Sequence, residues 1–208
     1  MNPPLTHPPP QRAGADADRG PERALAPRPP VLVFGCGRDH HGDDQIGLRI
    51  AEALSRRPPP DTHVALSRAP GADLLLDLEG VGLLVVIDAA ESVAELPVGS
   101  WTRIVYAGRA VGGRRRRAGM GRRAAVARAR RRAAMNPHTL NVNCALELGR
   151  RLGLLPPTVW VYVVAGQNFE LSDACTPAVL EDVEPIVASI RHDIVAWLAK
   201  YGSPPCTS

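Results

Sequence analysis

One run of five apolar residues, Leu83-Leu84-Val85-Val86-Ile87, most limits how this chain can fold. A strand that faces water on one side alternates apolar and polar residues, whereas a parallel strand covered by helices on both faces is apolar throughout. The run therefore predicts a central strand of a parallel sheet. Because parallel strands need long crossover connections, we expect helices between the strands.

Strand and helix patterns alternate along the chain as such a sheet requires. Strands are predicted at Val31 to Gly35, His63 to Ser67, Leu83 to Asp88, Ser100 to Ala107 and Thr158 to Ala165, and Ser100 to Ala107 is a candidate edge strand. Helical stripes follow at Ile46, Ile50 and Leu54, at Gly71 to Leu78, from Asn136-Pro137 onward, and after Thr176-Pro177, where Pro185 should kink or split the helix. We expect a three-layer αβα sandwich with a mostly parallel twisted sheet of about five strands.

The composition fits one domain with tails. A chain of 208 residues, 45% hydrophobic, can bury one sizeable core. The first thirty residues hold nine of the 21 prolines, so we expect a disordered tail over 1–29, a domain over 30–201 and a second tail over 202–208. Four cysteines without a CxxC pair fit a reducing compartment, and no apolar run is long enough to span a bilayer. We expect a cytoplasmic protein.

The basic residues are concentrated in one segment. Residues 109–134 contain eleven arginines and no acid, and the rest of the chain has 14 basic against 21 acidic residues. Such a like-charged block repels itself, which predicts an insert that is disordered or lies on the surface of the domain. A nucleic-acid-binding tract is the alternative, but no aromatic residues interleave with the arginines. We therefore do not expect nucleic acid as a partner.

Candidate ligands for a divalent metal follow three of the predicted strands. Asp44 lies in the glycine-bracketed loop after the first strand, Asp88 ends the third, and His138 falls in the helix after the fourth. Open α/β sheets bind ligands at these strand ends, and two carboxylates with an imidazole suit a divalent transition ion. Taken singly, Asp88 could be a solvated acid and His138 a surface residue. Taken together, two clustered carboxylates favour a nearby cation.

Other residues of the first loop have competing interpretations. Asp43 is expected to cap the helix that follows it. Cys36 could be a nucleophile, although no histidine is obviously paired with it, and a buried thiol is the preferred interpretation. His40 and His41 could gather metal or simply line the loop. Dinucleotide binding fits poorly, because His40 occupies the place of the third glycine in the GxGxxG pattern.

Five short motifs then point to one family. They are Gly35-x-Gly37 with Asp43-Asp44-x-x-Gly47, Gly71-x-Asp73-Leu74-Leu75, Val86-Ile87-Asp88-Ala89, the His138 helix leading to Leu152-Gly153, and Ala165-Gly166-Gln167-Asn168-Phe169-Glu170. As a set they resemble the hydrogenase maturation proteases, endopeptidases that trim the C-terminus of the large subunit of nickel-iron hydrogenases. The resemblance runs from Val31 to about Ile190, and the arginine-rich insert has no counterpart.

The resemblance implies a function and a site. Asp44, Asp88 and His138 would form the catalytic and metal-contacting site, and the nickel would be carried by the substrate, so that no permanent cofactor is expected. The partner would be a hydrogenase large-subunit precursor, and we expect a monomer. The chain has Arg38 where the family usually has Asn, and Gln45 where Gly is common. A non-proteolytic metal-binding or hydrogenase-assembly factor is the alternative function.

Overall fold

The computed structural model describes residues 30–68, 71–76, 78–107 and 142–201, which form one sheet with helices on both faces. Its strands are β1 (Val31–Cys36), β2 (Thr62–Ser67), β3 (Leu83–Glu91), β4 (Trp101–Ala107) and β5 (Thr158–Gly166). Its α-helices are α1 (Ile46–Ser55), α2 (Val142–Leu152), α3 (Pro177–Glu181) and α4 (Val183–Tyr201), and short 3-10 helices cover Gly42–Gln45 and Ala72–Leu75.

The strand order is β2-β1-β3-β5-β4, with β4 antiparallel to β5 and the other pairs parallel. The apolar run of β3 thus lies at the centre of the sheet and β4 at an edge, as the sequence predicts. The α/β class and the αβα layering are confirmed, and the sheet is mixed rather than purely parallel. After β1 the chain forms β2 on one side of β1 and then β3 on the other side of β1. The position between β1 and β3 is therefore a topological switch point.

Two cores cover the two faces of the sheet. Alternate strand residues such as Val33 and Val85 pack against α1 and α4, while Phe34 and Val86 pack against α2. All six residues of β1 and the first five of β3 are buried. This two-sided burial explains why both strands are almost entirely apolar in sequence.

The sequence suggests that β3 ends at Asp88, but in the structure the strand continues beyond this residue. The reason is that its two neighbours, β1 and β5, stop pairing with it at different residues. Pairing with β1 stops at Gly35↔Ile87, whereas pairing with β5 continues to Glu91↔Gly166. Asp88 is therefore the first residue of β3 beyond its pairing with β1. We call the space beyond this point the crevice.

Gly47 sets how closely α1 approaches the crevice. A Cβ atom at this position would lie 2.2 Å from the carbonyl oxygen of Cys36 and 2.5 Å from that of Ile87. Real Cβ atoms do not approach backbone oxygens so closely, so only glycine lets the first turn of α1 pack on the ends of β1 and β3. The 3-10 helix that carries Asp44 immediately precedes this contact.

Two helical predictions differ in detail from the structure. Only a 3-10 helix forms within the predicted helix at Gly71 to Leu78. The C-terminal stretch is split, as expected, but at Asp182, and Pro185 lies in the first turn of α4, where its missing N–H is not needed.

The predicted tails at 1–29 and 202–208, the 109–134 insert and the helix start at Asn136 lie outside the described residues. Across the described part of the chain, no helix has the length and apolar character needed to cross a membrane.

Candidate functional site

Asp88 lies in the crevice with a strongly perturbed carboxyl group. Its pKa is raised to about 7, first because the surrounding protein desolvates it and second because of the negative charge of Asp44. A hydrogen bond from the backbone amide of Ala89 opposes the shift. The charge of Asp44 can act on Asp88 in this way only because the fold brings the two carboxylates together.

Asp44 already has a positively charged partner. Its Oδ2 atom accepts hydrogen bonds from the backbone N–H of Arg38 at 3.0 Å and from Nε of Arg38 at 2.8 Å. The Asp44 side chain is 18% exposed, and that of Arg38 is 45% exposed. Arg38, one of the two loop residues that depart from the family pattern, thus supplies a counter-ion to one of the three predicted metal ligands.

Asp43 does not cap the following helix, so that prediction is wrong. No side chain caps the 3-10 helix, and the buried Asp43 carboxylate instead accepts bonds from a second loop, residues 167–176. Its Oδ2 accepts from the amides of Gln167 at 2.9 Å and Asn168 at 3.0 Å and from Oγ1 of Thr176 at 2.8 Å, and its Oδ1 accepts from the amide of Thr176 at 2.6 Å. We call these four bonds the Asp43 cluster.

The Asp43 cluster lowers the pKa of its own carboxyl group. Burial, the largest single effect, raises the pKa of Asp43, but the bonds from Asn168, Thr176 and Gln167 together outweigh it. A buried carboxylate that receives several N–H donors stays ionised because the donors replace the lost water. Asp43 is thus a structural anion that joins two loops distant in sequence.

Backbone contacts reinforce the union of the two loops. The amide of Gly42 donates to the carbonyl oxygen of Ser172 at 2.7 Å, and the amide of Ser172 donates to that of His40, also at 2.7 Å. Gly166 lets the loops approach, because a Cβ atom there would lie 2.6 Å from Cβ of Asp43. The motif Ala165 to Glu170, which has no assigned role in the sequence, therefore supplies two of the four donors to Asp43, the amides of Gln167 and Asn168.

The two loop histidines make contacts within these loops. His40 is paired through Nδ1 with the exposed carboxylate of Asp173, a hydrogen bond that raises the pKa of His40. Nδ1 of His41 lies 2.8 Å from the carbonyl oxygen of Asp39. These contacts favour the interpretation that both histidines line the loop.

Cys36 is buried beside the acids of the crevice. Burial raises the pKa of its thiol well above the ordinary value, and the charges of Asp88, Asp73 and Asp44 raise it further. A thiol in such surroundings stays protonated and is a poor nucleophile, which favours the buried-thiol interpretation.

The same electrostatic effect places Asp73 near the crevice, a position that the sequence reasoning did not assign to it. Its carboxylate accepts hydrogen bonds from Oγ of Ser67 at 2.5 Å and from the amide of Gly71 at 2.7 Å. These bonds hold the side chain against the end of β2. In the sequence, the motif Gly71-x-Asp73 indicates this residue only as part of the family pattern.

The structure thus brings together two of the three predicted site residues. His138 lies outside the described residues, so its place in the site stays a prediction. Among the residues that are described, no group of three or more His, Cys, Asp or Glu side chains is arranged to hold a metal ion. Asp44 and Asp88 supply two carboxylates of the kind that divalent ions bind, and their mutual repulsion fits a cation between them.

Comparisons with known proteins identify the fold. No protein-family model and no curated protein matches the sequence. Among solved structures, the chain is similar to the hydrogenase maturating endopeptidase HybD from E. coli, with a TM-score of 0.59 and 24% identity over 83% of this chain and 93% of that one. It is also similar to the hydrogenase 2 maturation peptidase from a Thaumarchaeota archaeon, with a TM-score of 0.53 and 21% identity over 79% of this chain and 97% of that one.

A third solved structure, of an endopeptidase from Escherichia coli, has a TM-score of 0.59 and 23% identity over 86% of this chain and 99% of that one. The similarity covers nearly the whole of each of these proteins. At these identities it establishes a common fold, the αβα sandwich of hydrogenase maturation endopeptidases, which is the fold that the sequence motifs imply.

Replacing Asp43 with Asn should loosen the two loops. The amide group of Asn cannot accept the bonds that one carboxylate oxygen accepts, so we expect the free energy of unfolding to fall by about 2–3 kcal/mol at pH 7. We also expect faster proteolytic cleavage within 167–176. Urea denaturation and limited proteolysis measure the two effects, and Glu170→Gln, an exposed change in the same loop, is the control.

The loss caused by Asp43→Asn should depend on pH. Because the folded state lowers the pKa of Asp43, its contribution to stability is present above the ordinary value of 3.8 and disappears as the pH falls through the lower folded pKa. A stability difference that grew on acidification would contradict the role assigned to this carboxylate.

Replacing Asp88 with Asn should stabilise the protein at high pH. The folded state raises the pKa of Asp88 from 3.8 to about 7. Between these pH values the carboxyl group ionises in the unfolded state but not in the folded state, which lowers the free energy of unfolding of the wild type, whereas Asn does not ionise. We expect a gain of a few kcal/mol at pH 8, since one pKa unit corresponds to about 1.4 kcal/mol, and no gain below pH 4. Urea denaturation across this range measures it, and a gain independent of pH would contradict the electrostatic argument.

Proposed function

We propose that this protein is an endopeptidase that removes the C-terminal extension of a nickel-iron hydrogenase large-subunit precursor after nickel insertion. The observation that supports this proposal most directly is the meeting of Asp44 and Asp88 at the switch point of the sheet, where the charge of one raises the pKa of the other. The sequence motifs resemble those of the family, and the chain shares the fold of a hydrogenase maturating endopeptidase and of a hydrogenase 2 maturation peptidase.

Nickel would serve as the recognition element. It belongs to the substrate, and Asp44, Asp88 and His138 would contact it when the precursor docks. Such contacts would hold the C-terminal segment of the precursor in one geometry, and fixed positioning of this kind lowers the barrier to reaction. Water would then attack the peptide carbonyl group, and the metal would assist by polarising either that carbonyl group or the attacking water. A precursor without nickel would lack the group that these side chains contact.

The crevice suits this role because its negative charge is incompletely balanced. Arg38 compensates Asp44, but the carboxyl group of Asp88 remains difficult to ionise. A divalent ion that approaches both carboxylates relieves their repulsion and favours the ionised form of Asp88. The protein therefore needs the positive charge of the loaded substrate to complete the site.

A cleavage assay tests the proposal. The full chain is incubated with nickel-loaded and nickel-free precursor, and mass spectrometry measures loss of the C-terminal extension. We expect cleavage of the loaded precursor alone, and a rate lower by about 100-fold in Asp44→Asn and Asp88→Asn, because a misplaced reacting group costs about this factor. His138→Ala should show a similar loss.

The matched control for these variants is Asp61→Asn. Asp61 is exposed and precedes β2, at the opposite end of the parallel strands from the crevice. It has a positive φ of 48° that asparagine tolerates. Its rate should equal that of the wild type. Failure of the wild type to cut the nickel-loaded precursor would contradict the protease assignment.

A non-proteolytic assembly factor is the second candidate, and the ion pair between Arg38 and Asp44 favours it. A ligand that already has a counter-ion binds metal less readily, which suits a protein that holds the precursor without cutting it. The same assay separates the two functions, because an assembly factor binds the loaded precursor and leaves its mass unchanged.

Replacing Arg38 with Asn should strengthen metal binding at the crevice. The variant removes the cation that competes for Asp44, and since a partly exposed ion pair contributes about 0.2–1 kcal/mol, we expect the affinity for Ni²⁺ alone to rise about two- to fivefold. Isothermal titration calorimetry measures it on the full chain. Arg68→Asn, which breaks the neighbouring pair with Asp39, is the matched control. Equal changes in both variants, or weaker binding in Arg38→Asn, would contradict the competition.

A further inference from the structure

A second surface feature lies at the other end of the domain from the crevice. Helix α1 begins beside the crevice and runs back along the sheet for ten residues, or about 15 Å. Beyond its far end, α1 and α4 border an open groove of about 780 Å³. The apolar part of its lining consists of Ala53, Val187, Ala188 and Val195.

The polar part of the lining is mainly basic. It contains Arg56, Arg57, Arg191 and His192, against a single acid, Glu184. Within the described residues, the guanidinium groups of Arg56 and Arg57 have no hydrogen-bonding or ion-pair partner, and that of Arg191 donates to the backbone carbonyl oxygen of Arg57. The groove therefore holds three arginines whose charges are not matched by a carboxylate.

This arrangement differs from the rest of the described residues. Each of the other arginines there bonds to a side-chain acceptor: Arg38 to Asp44, Arg49 to Gln45, Arg68 to Asp39, Arg103 to Asp193, and Arg150 and Arg151 to Glu147. Acids are plentiful, because outside residues 109–134 the chain has 21 acidic and 14 basic residues. Elsewhere among the described residues, only Arg49, which bonds to the neutral Gln45, and Lys200 lack a carboxylate partner, so positive charge without such a partner is most concentrated in this groove on an otherwise acidic domain.

We propose that this groove binds an acidic segment of a protein partner. Carboxylates of the segment would pair with Arg56, Arg57 and Arg191, whose planar guanidinium groups match carboxylate geometry. Apolar side chains of the same segment would cover Val195, which is 47% exposed. The volume is in the range that accommodates a few side chains. This site is independent of the proposed protease function.

A nucleic acid is the less suitable occupant. No aromatic side chain lines the groove, so bases would find no surface to stack on. The acidic surroundings would also repel a long polyanion, whereas a short acidic segment can stay within the groove. Charge complementarity and the apolar floor together fit a peptide that is both acidic and apolar.

A binding assay tests the groove in the full chain. The probe is a fluorescein-labelled amphipathic peptide with glutamates on one face and leucines on the other, and fluorescence anisotropy measures its affinity. The combined variant Arg56→Ser, Arg57→Ser and Arg191→Ser should bind it about tenfold more weakly, as expected for the loss of three partly exposed ion pairs. A version of the peptide with glutamine in place of glutamate should bind the wild type as weakly.

The arginine-rich segment could also attract this probe, so the control removes the same charge there. The combined variant Arg115→Ser, Arg116→Ser and Arg117→Ser keeps the groove, and its affinity for the peptide should be close to that of the wild type. An equal or greater loss in this control would overturn the proposal. Displacement of the peptide by a single-stranded oligonucleotide that itself requires the groove arginines would also overturn it.

A second groove variant guards against a change in folding. Because Arg191 contacts the backbone at Arg57, replacing it could disturb the end of α1. Ala188→Glu leaves all three arginines in place and adds a carboxylate to the exposed floor, where it should repel the peptide and weaken binding. Circular dichroism verifies that each variant is folded. Unchanged peptide binding in folded Ala188→Glu would overturn the proposal.

Discussion

The Asp43 cluster is the interaction on which the geometry of the crevice depends. The loop after β1 carries the buried carboxylate of Asp43, and the loop after β5 supplies the donors to it, so these bonds hold the two loops together. The carboxylate of the next residue, Asp44, instead bonds to Arg38 and acts on Asp88 in the crevice. The burial of one acid as a structural anion thus fixes the position of the next acid at the crevice.

Electrostatic repulsion is the second constraint. Asp88, Asp73, Asp44 and the thiol of Cys36 lie close enough that the three carboxylates raise the pKa of the thiol. A fold does not gather negative charge in this way without some compensation, and the described residues provide it only in part, through Arg38. The remaining imbalance is the physical basis of the proposed contact with substrate-bound nickel.

The sequence predicts the sheet well because burial leaves a direct pattern. The unbroken apolar run of β3 indicates its central place, and the alternation in β4 indicates an edge. The same reasoning fails for Asp43, since an acid before a helix cannot be distinguished in sequence from a helix cap until its distant donors at Gln167, Asn168 and Thr176 are known. The end of β3 is misjudged for a similar reason, because Asp88 stays in the sheet through its pairing with β5.

The sequence separation between Asp43 and its donors determines when the crevice can form during synthesis on the ribosome. Thr176 lies 133 residues after Asp43, so β1, α1 and β3 are all synthesised long before the amides that satisfy this carboxylate exist. Until β5 and the following loop emerge, the acid has no means of being buried in its ionised form. The crevice therefore cannot acquire its final shape before this loop has been synthesised, and a chain interrupted earlier would have β1, α1 and β3 without the arrangement of acids that defines the site.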